Sequence, residues 1–76
     1  MDKISGRLAE YIKLKREEMN ITQEELAELS AIDYKQIQNL ESFKRINNPR
    51  LSTLLKLSKA FNVKVEDIIA YILKKK

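Results

Sequence analysis

Cysteine and histidine are both absent from the 76-residue sequence. Without thiols there is no disulfide framework and no thiolate metal site, a composition that suits a reducing cytoplasm. Without imidazole, His-based triads and zinc sites are excluded, and only carboxylate, lysine or tyrosine chemistry is left. Glycine and proline occur once each, at Gly6 and Pro49, so little loop and no linker are expected. No apolar run approaches the roughly 18 residues of a membrane span, and Asp2, Lys3 and Arg7 charge a patterned N-terminus. Neither a signal peptide nor a membrane segment is expected. The dense carboxylates Glu24 and Glu25 stand at a helix start, where the dipole already explains them. With no phosphate loop, nucleophile elbow or metal cluster legible, no enzyme activity, cofactor or metal is expected. A chain this short makes one small domain, 1–76, near the lower size limit for a single hydrophobic core.

Charge of one sign is also missing locally. The net charge is +4, yet 17–32 holds five acids (Glu17, Glu18, Glu24, Glu25, Glu28) and no base. From 33 to 59 there are six bases (Lys35, Lys44, Arg45, Arg50, Lys56, Lys59) and two acids, Asp33 and Glu41. Such asymmetry fits one face turned toward a polyanion and another turned away; an unevenly charged solvated surface fits the composition equally.

What is present is a helix-start signal written twice in ITQEELAELSAIDYKQIQNLE, Ile21 to Glu41. Thr22 is an N-cap, Glu25 can reach back to the cap's backbone, and Ile21 and Leu26 flank them as a hydrophobic staple. Eleven residues on, Ile32, Asp33, Gln36 and Ile37 occupy the same four roles. Two short helices joined by about three residues cannot lie antiparallel along their length, and a near-perpendicular helix-turn-helix is expected.

The rest of the chain also reads as helix, giving an all-α domain with helices at about 3–19, 22–30, 33–41, 51–61 and 65–73. The first carries Ile4, Leu8, Tyr11 or Ile12, and Met19 on one side, and Asn20 is a left-handed cap. The second and third turn Leu26, Ala27, Ile37 and Leu40 inward. A loop, SFKRINNPR (Ser42 to Arg50), precedes the fourth, in which Leu51, Leu54, Leu55, Ser58 and Phe61 face the core and Asn62 is another left-handed cap. The fifth has Glu66 and Asp67 in its first turn, where acids suit the dipole. Its core stripe is Val65, Ile68, Ile69 and Ile72, with Tyr71 and Leu73 to either side. Apolarity over so wide an arc needs a second covering surface. A homodimer through Val65, Ile69, Tyr71, Ile72 and Leu73 supplies one; a broad core face with a fraying end is the alternative.

With Ile37 and Leu40 inward, the third helix exposes Tyr34, Lys35, Gln38 and Asn39, with Gln36 at the margin. Amides pair bidentately with adenine and lysine donates to guanine, so these residue types match base edges in the major groove of double-stranded DNA.

On IKLKREEMNITQEELAELSAIDYKQIQNLE (Ile12 to Glu41) and NPRLSTLLKLSKAFNVKVEDII (Asn48 to Ile69), the chain resembles the lambda-repressor-like (Cro-type) helix-turn-helix family, compact five-helix DNA-binding domains. The resemblance implies that Gln23 contacts a phosphate at a helix N-terminus and that Tyr34, Lys35, Gln38 and Asn39 face bases. It further implies that the loop after the third helix lies along the DNA backbone; Lys44, Arg45, Asn47 and Arg50 there, and Gln36 at the margin of the third helix, are the expected backbone contacts. Arg16 and Glu41 correspond to a structural ion pair of that family. The sequence departs from the family pattern at Ala31, where glycine is usual in the turn, at Ser42-Phe43, in place of Glu-x-Gly spacing, at Lys15, where an apolar residue is common, and at Arg50 and Lys64, in place of serine caps. The function implied is a homodimeric cytoplasmic repressor of a short inverted repeat, such as a phage regulator or a restriction-modification controller protein. A protein-interaction module anchored by Tyr34 and Phe43 is the alternative from another class.

Overall fold

The computed structural model describes residues 3–42 and 49–74, with side chains from Gly6 onward. Among them are five helices, α1 (Lys3–Met19), α2 (Gln23–Ser30), α3 (Tyr34–Leu40), α4 (Leu51–Phe61) and α5 (Val65–Leu73), and no strand. The expected spans for α2 and α3 each included cap residues; Thr22, Asp33 and Glu41 flank these helices rather than belonging to them.

Asparagine ends two of the helices as expected. Asn20 has φ 58° and Asn62 φ 56°, a left-handed conformation that asparagine tolerates because its short side chain bonds locally. At each site the next residue reaches back over the last turn, Ile21 N–H to Arg16 at 3.0 Å and Val63 N–H to Ser58 at 2.9 Å. These six-to-one bonds satisfy carbonyls that a helix end would otherwise strand, and Ile21 and Val63 pack against the core beside them.

One core joins all five helices. Leu8, Tyr11 and Ile12 of α1 meet Leu26, Ile37 and Leu40 from the α2–α3 pair, Leu54, Leu57 and Phe61 from α4, and Ile68 and Ile72 from α5. Tyr11 is the aromatic hinge of this packing, edge-on to Phe61 with centroids 6.1 Å apart and tilted over Tyr71 at 5.0 Å.

Four inward assignments are corrected. Met19 is exposed at the end of α1. On α4, Leu51 and Leu55 stand outward at 62% and 44% exposure, while Thr53 and Leu57 are buried with Leu54, Ser58 and Phe61. The segment LSTLLKLSKAF has leucines at 51, 54, 55 and 57, enough to support two overlapping stripes. The one adopted is centred on Leu57. On α5, Ile69 lies outside the stripe at 36% exposure.

Candidate nucleic-acid interface

The first helix start is built as its residues dictate. Glu25 N–H donates to Thr22 Oγ1 at 3.1 Å, and Thr22 N–H donates to Glu25 Oε1 at 2.8 Å, a closed capping box. Gln23 follows as the first residue of α2, half-buried. At the other end Ala31 takes φ 58°, so the left-handed turn exists without glycine at a cost on the order of 1 kcal/mol. Ser30 backs that turn: its hydroxyl donates to Leu26 O at 2.7 Å and accepts Ile32 N–H at 3.3 Å. This role was missed in the sequence, although a serine in a helix's final turn is a known back-bonding signal.

The second helix start departs from expectation. The Asp33 carboxylate accepts Lys35 N–H at 3.2 Å, one residue short of the position a capping box uses, and Gln36 stays exposed without folding back. The flanking apolar residues hold: Ile32 and Ile37 are both buried.

Ile37 and Leu40 seat α3 on the core. At 100° per residue, Tyr34, Gln38, Lys35 and Asn39 then share an arc of about 140° on the other side. Tyr34, Lys35 and Gln38 are exposed and Asn39 is half-buried. Within the arc, Gln38 Nε2 donates to Tyr34 Oη at 3.2 Å.

The far end of α3 is held from a distance. Arg16 grips Glu41 with two parallel bonds, Nε to Oε2 at 2.7 Å and Nη2 to Oε1 at 2.9 Å, and its Nη1 donates to Ile21 O at 3.0 Å. One guanidinium thereby ties α1, the α1–α2 turn and the end of α3 together. The Glu41 hydrogen bond raises the Arg16 pKa above its usual value, so the guanidinium stays charged.

Arg50 precedes α4 as an exposed N-cap with no side-chain capping bond, and Lys64 does the same for α5. Lys44, Arg45 and Asn47 lie outside the described residues. On α5, Ile72 is buried in the chain's own core. Tyr71 leans onto α1, its hydroxyl donating to Glu10 at 2.9 Å, so both residues have structural work within one chain. Val65 is half-buried, and Ile69 and Leu73 face outward.

A helix-turn-helix family model matches residues 12–68, three quarters of the chain. The chain belongs to the helix-turn-helix family. Neither the comparison with curated proteins nor that with solved structures returned a match. As a helix-turn-helix domain the chain is a DNA-binding module with a regulatory role. Among the described residues no group of three or more acidic side chains could hold a metal ion, and no helix is long and apolar enough to cross a membrane.

Proposed function

We propose that this helix-turn-helix protein is a sequence-specific transcriptional regulator of the lambda-repressor-like, Cro-type kind, a single domain over 1–76 that acts as a cytoplasmic homodimer. The observation that carries the reading is the polar arc of Tyr34, Lys35, Gln38 and Asn39 on a helix fixed from behind by Ile37, Leu40 and the Arg16–Glu41 clamp. In this reading α3 enters the major groove and those four side chains meet base edges. Gln23, Gln36, Lys44, Arg45, Asn47 and Arg50 supply the phosphate contacts, whose strength falls with salt.

Size supports the dimer. The longest dimension of the domain is 30 Å, whereas major-groove faces on one side of DNA recur about every 34 Å. One copy presents one α3; two copies related by a two-fold axis double the site and raise its specificity. The outward Ile69 and Leu73, with half-buried Val65 on the same helical face and Tyr71 and Ile72 behind them, form the surface assigned to that contact. Binding across a short inverted repeat represses by occluding the promoter.

Selection from a random duplex library, followed by titration of the enriched sequence at several salt concentrations, tests the reading. A two-fold symmetric motif bound with a steep salt dependence is the expected result. No enrichment would overturn the regulator, and an asymmetric motif would overturn the dimer. Leu73→Glu, at a position already in solvent, should halve the mass seen by sedimentation equilibrium without unfolding the chain.

A further inference from the structure

The base-facing arc of α3 contains one internal bond. Gln38 Nε2 donates to Tyr34 Oη across a single helical turn at 3.2 Å, with both side chains exposed. A glutamine side chain has several staggered rotamers, and a free one must be ordered when it meets a base. Here the phenol, whose ring has only two side-chain torsions, gives the amide a partner on its own helix.

The chemistry of the amide is then divided. One N–H is committed to Tyr34, leaving the carbonyl oxygen and the second N–H. That remaining acceptor and donor match the N6 amino group and N7 of adenine. The phenol oxygen serves the pair as the acceptor of that N–H. Between exposed groups in water such a bond is weak, but docking against DNA excludes water and strengthens it.

We propose that Tyr34 is a positioning residue for Gln38, and that the pair reads one adenine as a unit. The inference rests on the DNA-binding role of α3 set out above. It makes two contacts that would otherwise act separately into a coupled pair, so the effects of their removal are not additive.

The test uses the full chain, a random duplex library and four proteins: wild type, Tyr34→Phe, Gln38→Ala and the double variant. Wild type should enrich a motif with a strongly preferred adenine. Gln38→Ala should lower discrimination at that base pair by roughly 5- to 150-fold. Tyr34→Phe, which deletes only the hydroxyl, should weaken preference at the same pair by about 3-fold or more, leaving other positions and the salt slope unchanged; the double variant should match Gln38→Ala alone. Circular dichroism should find all four equally folded. Additive losses, or a Tyr34→Phe effect at a different base pair, would overturn the coupling while leaving the regulator intact. Loss of preference for a base other than adenine would overturn the adenine assignment. If wild type enriches no motif, the regulator and this inference fail together.

Discussion

The starts of α2 and α3 carry similar residues eleven positions apart and are built differently. At α2 the cap is closed locally by Thr22 and Glu25, each satisfying the other's backbone. At α3 the cap is partial: Asp33 takes the Lys35 N–H, and Gln36 remains in solvent. What α3 lacks at its start it receives at its end, where Glu41 is gripped by Arg16 from a helix 25 residues away in sequence. The scaffold helix is fixed by its own residues, whereas the helix proposed to face DNA is fixed from behind. Tyr34, Lys35 and Gln38 thereby stay on its solvent side.

The largest test of that contrast is Glu41→Ala. The pair is partly buried, at 15% and 6% side-chain exposure, and removing Glu41 leaves the Arg16 charge with only the Ile21 carbonyl. A loss of about 3 kcal/mol in denaturant unfolding is expected, a large share of the stability of so small a domain; a loss under about 1 kcal/mol would mean that α3 is not held by the clamp. Next comes the pair of caps. Thr22→Ala should cost about 1 kcal/mol, while Gln36→Ala should change stability by less than about 0.5 kcal/mol and weaken DNA binding instead. Equal stability losses at the two sites would erase the difference between the two helix starts. Ala31→Gly then probes the turn between them: relief of the left-handed alanine should gain about 0.5–1 kcal/mol by thermal or chemical unfolding.

The smallest expected effect concerns the α1–α5 seam. Partial burial, followed by the hydrogen bond to the Glu10 carboxylate, raises the Tyr71 pKa above 10.0, and burial raises that of Tyr11. The neutral phenols are therefore the forms favoured by folding. Their contribution to stability is whole below the unfolded tyrosine value and is lost as pH climbs through the raised folded values. Tyr71→Phe should cost about 0.5 kcal/mol near neutrality and should make the alkaline decline of stability shallower. Tyrosinate absorbance followed alongside circular dichroism checks both.

The helices themselves were legible because their punctuation is local. Thr22, Asn20 and Asn62 mark boundaries through bonds within a few residues, and Leu8 with Ile12, Ile37 with Leu40, and Ile68 with Ile72 recur at helical spacing. The α4 stripe was less legible because LSTLLKLSKAF is leucine-rich on more than one face, and only the neighbouring helices decide that Leu57 goes in and Leu55 out. The setting of Tyr71 was less legible for another reason. Apolarity places its ring on a wide face, but the hydroxyl's partner, Glu10, is 61 residues distant and leaves no trace in the spacing. The α3 surface was readable as a set of residue types, with Tyr34, Lys35 and Gln38 in solvent. The bond between Tyr34 and Gln38, and the failure of Gln36 to close its box, depend on rotamers that a sequence does not specify.

Nuclear magnetic resonance of the isotope-labelled protein, titrated with its enriched duplex, tests the central claim most directly. The side-chain amides of Gln36, Gln38 and Asn39 and the backbone of 34–39 should shift, together with Gln23, while Thr53, Leu57 and the inner face of α4 stay still. Shifts confined to the outer face of α5, with α3 silent, would contradict the assignment of α3 as the helix that meets DNA.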